Sequence, residues 1–372
     1  MAWSLKIFRI AGINVYLHWT FILIMAWIIL ASLSQGEPTW EALMPVWAIL
    51  SLFGCVLLHE FGHALQARKY KITTERITLL PIGGVASLEK MPEKPGQELL
   101  VALAGPAVNL AIAAILGVYI LASGMPFHLF PLFEDISLVK NWETYISILL
   151  KINAILFLFN LIPAFPMDGG RVLRAFLAMR YSRAEATNIA ARIGQFLAIG
   201  FVFIGIMTNF WLIFIGLFIY LGASGEANYE AQRSLLSNLR VQDVLMHQFT
   251  PLHAWETIGQ AIETLLDGQE KDFLVTEDNV IIGTLSRDDI IKGLHNFGKE
   301  ERIKRIMNPD WTRLAPEMSL NEAFEEMTRL KRTICPVYDK GELIGVLNQE
   351  NIMEAIMIES ARANAFRTQE VG

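Results

Sequence analysis

Residues 56–63 read Val-Leu-Leu-His-Glu-Phe-Gly-His, an HExxH pattern in which Glu60 follows His59 and His63 closes the motif. A helix places positions i and i+4 on one face, so both imidazoles can ligate one metal ion. The carboxylate beside the first can act as general base toward water at that ion. The motif ends an apolar run from about Leu43 to Leu65, long enough to cross roughly 30 Å of hydrocarbon. Ionisable groups at that depth cost a few kcal/mol each and line functional cavities. The stretch therefore points to metal chemistry inside a membrane.

Outward from it, further apolar runs cover Trp19 to Leu33, Leu99 to Ala122 and Tyr145 to Ile162. The block 193–225 holds 33 uncharged residues and is divided at Thr208-Asn209 into two predicted spans, the second short. Six spans result. Gln35-Gly36-Glu37 offers no small-residue cleavage site, so the first run is expected to be retained. Lys151, within the fourth run, is expected to snorkel to the nearer interface.

The chain has 372 residues, 53% hydrophobic and 18% charged, against roughly a quarter charged in soluble proteins. Residues 1–225 carry 15 basic and 12 acidic side chains, whereas residues 226–372 carry 16 and 25. The first part reads as membrane and the second as a soluble domain. That domain's acidic balance argues against nucleic acid as a partner. Cys55 and Cys335, one in each part, provide no disulfide framework. Basic residues cluster at 6–9, 68–76, 171–183 and 233–240, while the loops 34–42 and 123–144 contain only Lys140. This asymmetry predicts a multi-pass protein of the cell membrane with both termini and the soluble domain cytoplasmic.

A catalytic zinc takes three protein ligands and leaves one position open. In Asn160-Leu-Ile-Pro-Ala-Phe-Pro-Met-Asp-Gly-Gly170, two prolines and two glycines interrupt a helix where Asp168 arrives at the depth of the histidines. Broken backbone at that depth is tolerated only where it is buried or lines a wet cavity. The alternative is that Asp168 merely caps the helix starting near Gly170. Cys55, one turn before His59, reads as packing, and His18 as a polar residue at the interface.

With these residues the sequence resembles the site-2 protease family of intramembrane zinc metalloproteases. The resemblance rests on His59 to His63, Pro166 to Gly169 and Ala104-Gly-Pro-Ala-Val-Asn109, and covers about residues 8–222. It implies that His59, His63 and Asp168 hold Zn2+, that Glu60 is the base, that Asn160 helps stabilise the oxyanion, and that Gly105-Pro106 shapes the cavity. A helical substrate must unwind before water can reach a carbonyl. Residues Glu75 to Leu88, with a Pro81-Ile82-Gly83-Gly84 turn, predict a hairpin that could capture the unwound chain by strand addition, with Gly83 and Gly84 as substrate contacts. A plain connector is the alternative.

Residues 244–295 superpose on the chain again after a shift of 62, so that Leu252 meets Leu314, Val275 meets Val337, Gly283 meets Gly345 and Ile290 meets Ile352. This is a duplication. The repeats resemble a tandem pair of CBS domains over about 240–360. That family commonly binds adenine nucleotides (ATP, ADP or AMP) through a Ser/Thr and an Asp three residues later. Ser286 and Asp289 fit this pattern, whereas the second repeat has Asn348 and Asn351. One nucleotide site is expected, and the alternative is a purely structural module forming a homodimer.

The predicted fold is a polytopic α-helical membrane domain of about six spans (1–225), a linker (226–240), a soluble α/β tandem CBS module (241–360) and a C-terminal tail (361–372). The expected function is zinc endopeptidase action on membrane-spanning protein substrates in the bilayer, as in regulated intramembrane proteolysis, modulated by adenine nucleotide. The alternatives are a CBS-gated transporter or channel with His59, Glu60 and Asp168 on an ion path, and a silent scaffold. Proteolysis requires the HExxH order with an Asp after a broken helix; permeation does not.

Overall fold

The computed structural model describes residues 4–34, 39–80, 83–88, 91–126 and 142–370. The chain forms two compact units, Met1–Asn228 and Tyr229–Gly372.

The first unit opens with strands β1 (Ser4–Ile10) and β2 (Ile13–His18), which the apolar-run reading had passed over. Ala11 and Gly12 between them have φ of 51° and 85°, as a two-residue type I′ hairpin turn requires. Helices α1 (Trp19–Ser34) and α2 (Thr39–Arg68) follow, then the predicted hairpin, β3 (Thr74–Leu80) and β4 (Gly83–Leu88). β2 and β3 pair in parallel, giving a sheet of order β1-β2-β3-β4. Ile13, Val15 and Ile77 of the sheet are buried against Phe61 and Ala64 of α2. The HExxH helix is thus backed by the sheet, with β4 at one edge.

The remaining helices are α3 (Pro95–Ser123), α4 (Trp142–Asn160), α5 (Asp168–Leu177), α6 (Arg183–Met207) and α7 (Trp211–Ser237). Proline opens α3, and Gly124 ends it at φ 68°, the usual asymmetry of helix ends. A capping box of Ser182 and Glu185 starts α6. Among the described residues, five helices are long and apolar enough to cross a membrane: Val46–Arg68 of α2, and α3, α4, α6 and α7. The sixth apolar helix, α1, has 16 residues and so rises only about 24 Å.

Helix α7 has 27 residues and runs to Ser237, so most of the segment 226–240 is helix rather than linker. The charges that begin at Glu226 mark the end of the apolar stretch and not of the helix. Lys151 is buried, at 2% exposure, because it lies with Ile148 and Asn153 among the enclosed residues of α4. Its side chain is enclosed by protein instead of reaching outward from the helix bundle.

The second unit holds β5 (Leu252–His253), α8 (Ile258–Asp267), β6 (Asp272–Glu277), β7 (Val280–Ser286), α9 (Arg287–Phe297), α10 (Leu320–Leu330), β8 (Ile334–Asp339), β9 (Glu342–Asn348) and α11 (Gln349–Glu370). The sequence set aside 361–372 as a tail; helix α11 takes up residues through Glu370. The duplication recurs in the backbone. Leu252 pairs in parallel with Val275, and Leu314 with Val337. The hairpin turns at Asp278-Asn279 and Lys340-Gly341 both have positive φ. The segment leading into each repeat is bonded to the other repeat's sheet: Met246 exchanges two hydrogen bonds with Val346 (2.9 and 3.0 Å), and Asn308 exchanges two with Thr284 (2.8 and 3.0 Å).

That exchange explains the repeated glycines. A Cβ at Gly283 would stand 2.7 Å from the Asn308 carbonyl oxygen, and one at Gly345 would stand 2.6 Å from that of Met246. Gly345→Ala is therefore expected to destabilise the second unit by about 2 kcal/mol. At Gly268 a Cβ meets nothing nearer than 3.4 Å, so Gly268→Ala should differ little from wild type. Denaturant melts of both variants check this.

Candidate metal centre

The i, i+4 spacing on α2 sets the two imidazoles edge to face with ring centroids 4.7 Å apart. Their outer nitrogens are already committed. His59 Nδ1 lies 2.6 Å from Asn109 Oδ1, and His63 Nδ1 lies 2.7 Å from the Val101 carbonyl oxygen. Both partners are acceptors on α3, so each ring carries its proton on Nδ1 and presents an Nε2 lone pair. The two Nε2 atoms lie 3.1 Å apart, and each is 3.1 Å from Asp168 Oδ2. His59, His63 and Asp168 are 7%, 3% and 5% exposed. Among the described residues they form a group whose ligand atoms all lie within 4.8 Å of one another. Two imidazole nitrogens and a carboxylate suit zinc.

Backbone compactness permits this convergence. A Cβ at Gly105 would stand 2.2 Å from His63 Nε2 and 2.7 Å from His59 Nε2, and one at Gly62 would stand 2.7 Å from the Ala104 carbonyl oxygen. Only glycines let α2 and α3 meet here. On the opposite side Asp168 occupies the first turn of α5, where the helix dipole favours a carboxylate. Its glycines fold the preceding segment back onto the helix: a Cβ at Gly169 would meet the Ile162 carbonyl oxygen at 2.2 Å. Arg171 lies 3.6 Å from Asp168 Oδ1.

Glu60 lies under β4. A Cβ on Gly84 would stand 2.7 Å from Glu60 Cγ and 3.2 Å from Oε1. Gly83 is the first residue of β4, opposite Leu80, so both glycines belong to the strand rather than to the turn. Residues 81 and 82 of that turn lie outside the described residues. Asn160 ends α4 and donates from Nδ2 to the Leu156 carbonyl oxygen at 3.0 Å. The sequence reading assigned no role to Asn109 or Asn153. Asn109 Nδ2 donates to Asn153 Oδ1 at 2.9 Å, and Asn153 Nδ2 donates to Cys55 Sγ at 3.3 Å, a buried chain ending at His59. Two asparagines in apolar spans were the available signal. Cys55 stands at the far end of that chain, and His18 Nδ1 is 2.7 Å from Thr20 Oγ1 at the start of α1.

The model of peptidase family M50 matches residues 47–136 and 124–201, and that of the CBS domain matches residues 303–358. A zinc metalloprotease of Methanocaldococcus jannaschii is 32% identical over 363 residues, spanning 96% of this chain and 97% of its own. The chain belongs to family M50, the site-2 proteases. A relative from Synechocystis sp. is 27% identical over 395 residues, 96% of this chain and 97% of its own. A solved site-2 protease from M. jannaschii is 38% identical, with a TM-score of 0.43, covering 60% of this chain and 95% of that one. The present chain is thus a multi-pass membrane zinc metalloprotease with a C-terminal CBS module. The CBS match falls on the second repeat, and the shared register and crossed strands extend the same fold to the first.

In that module Ser286 caps α9. Its hydroxyl donates to Asp289 Oδ2 at 2.6 Å and accepts from the Asp289 amide at 3.2 Å. Asn348 takes the corresponding place and accepts from the Asn351 amide at 2.8 Å. Asp272, across the strand pair from Ser286, accepts a hydrogen bond from the Thr333 hydroxyl at 2.6 Å. Burial holds its carboxyl above the ordinary range despite that bond, and Glu350 and Asp289 push the same way. A raised carboxyl means that the folded state binds the proton more tightly, so stability is lost as pH rises through the folded pKa. Asp272→Asn is expected to raise the melting temperature of residues 229–372 at pH 7. The advantage should vanish as pH falls below about 4, the ordinary Asp value. Thermal melts across pH test the sign.

Proposed function

We propose that this chain hydrolyses peptide bonds within or near the transmembrane segments of protein substrates, with His59, His63 and Asp168 as the zinc ligands and Glu60 as general base. The observation that carries the reading is the convergence of three buried ligand atoms, two of them imidazole nitrogens whose rings are fixed through Nδ1 on the helix that also carries Glu60. An ion path would have no need of that order.

Zinc supplies Lewis acidity that makes water nucleophilic near neutral pH. The remaining work falls to the chain's own residues. Glu60 takes the proton from water as the C–O bond forms, and returns it to the amide nitrogen as the C–N bond breaks. The edge strand β4 passes over Glu60 at Gly84, so an unwound substrate added to that edge would lie beside the base. Asn160 would offer an amide proton to the developing oxyanion. Glu60→Gln is expected to lower cleavage of single-span test proteins in liposomes by about 10²–10⁴-fold, and equal cleavage would remove Glu60 from the mechanism. In parallel, Asp168→Ala should lower the zinc content measured by elemental analysis. Unchanged zinc would mean that another residue completes the site.

The CBS module would lie in the cytoplasm, where the basic loops place it, and would bind about one adenine nucleotide per chain through Ser286 and Asp289. Supporting this, the Ser286 hydroxyl and the Asp289 carboxylate stand together at the start of α9, 2.6 Å apart, as that pairing requires. To act on proteolysis, nucleotide must favour one arrangement of the chain over another. Calorimetry should detect ATP binding that Asp289→Ala weakens, and ATP should alter cleavage by the full chain without being hydrolysed. No binding at millimolar ATP would leave the module a dimerisation element.

A further inference from the structure

We infer that Arg174 is a positioning residue: gripped by Glu98 and Glu226, it sets the α5 carboxylate Asp168 against the imidazole pair that α3 orients. The inference rests on the reading of His59, His63 and Asp168 as the metal ligands. Two of those ligands come from α2 and are aimed by α3, while the third comes from α5, more than a hundred residues away in sequence. Something must hold α3 and α5 in mutual register.

Arg174 lies on the same ten-residue helix as Asp168 and is 1% exposed. Its Nε donates to Glu98 Oε1 at 2.7 Å, and its terminal nitrogens pair with Glu98 and Glu226. Glu98 is fully buried and also accepts from Arg183 at 3.0 Å. It lies on α3 three residues before Val101, whose carbonyl oxygen holds His63. The guanidinium carbon stands 5.2 Å over the Phe165 ring, in the broken segment just before Asp168. Glu226 adds α7, which also presses on that segment: a Cβ at Gly222, one turn earlier, would stand 2.5 Å from Pro166 Cδ. One side chain therefore ties together the helix that aims the imidazoles, the helix that carries the carboxylate, and the loop that delivers it.

Stability alone does not account for such a group. An apolar pair of similar volume commonly stabilises a core at least as well as a buried ion pair. What the planar guanidinium adds is direction, since its fork fixes the geometry of both partners. Replacing one partner would strand a buried charge, so the informative variant removes both.

The test measures zinc affinity of the full chain in detergent by competition with a chromophoric chelator. It is accompanied by the visible spectrum of bound Co2+ and thermal melting by circular dichroism. Glu98→Gln/Arg174→Met is expected to keep its helix content, to bind zinc about tenfold more weakly, the range seen when groups behind metal ligands are removed, and to shift the Co2+ bands. Glu226→Gln should weaken zinc a few-fold. Wild-type affinity and spectrum in the folded double variant would make Arg174 a structural residue only and overturn the inference. If the double variant does not fold, Glu226→Gln decides, and its wild-type affinity would overturn the inference equally. Asp168→Ala runs alongside: unchanged zinc binding there would sink the ligand reading itself, an outcome distinct from failure of the Arg174 variants alone.

Discussion

The carboxylate of Asp168, 5% exposed and 3.1 Å from both imidazole nitrogens, sets the terms for the first unit. A charge buried in that position has to be matched by partners, because burial takes away the solvation that would otherwise offset its cost. The match requires three chain segments to meet with almost no space between them. Hence the glycines at 62, 105 and 169, each facing an atom that a side chain would strike. Hence also the polar backing, in which Asn109, Asn153 and Cys55 extend the hydrogen bonding of His59 into the helix packing. Along that line, from His59 through Asn109 and Asn153 to Cys55, each buried polar group satisfies the next.

The sheet answers a different requirement. A protease working on helical segments needs somewhere to hold extended backbone, and an edge strand presents the unpaired N–H and C=O groups that such backbone seeks. Strand β4 is at the sheet edge, and its Gly84 leaves no side chain between the strand and Glu60. The parallel pairing of β2 with β3 brings the start of the chain into this arrangement. The N-terminal hairpin therefore belongs to the sheet that packs against the HExxH helix.

In the second unit neither repeat completes its own sheet. Met246 and Asn308 each hydrogen-bond to the sheet of the other repeat, so the two halves must fold together. Such crossed bonding makes the pair one pseudo-symmetric body and accounts for Gly283 and Gly345 at equivalent positions. Asp272 and Thr333, one from each repeat, meet between the halves. A group there senses both repeats at once.

By itself the sequence determined a good deal. The helices appeared as uncharged runs, because the bilayer selects length and apolarity locally. The HExxH pair was legible because its geometry is set by helical periodicity alone, and the duplication because a shift of 62 aligns residue types directly. The two strands expected within 75–88 were legible from apolar residues on either side of a Pro and Gly cluster, and the start of α7 from Thr208-Asn209. What only the tertiary structure decided lies in contacts between distant segments: the Asn109 side-chain amide oxygen on His59, the Val101 backbone carbonyl on His63, Gly84 above Glu60, and Arg174 joining Glu98 to Glu226. The N-terminal strands belong here too, since β2 joins the sheet by pairing with β3, some sixty residues further along the chain. So does Lys151, whose burial depends on which face of α4 is enclosed. Spacing along a chain specifies which atoms share one helix face or strand, but not which other segment will lie against it, because that is settled by packing the whole unit at once.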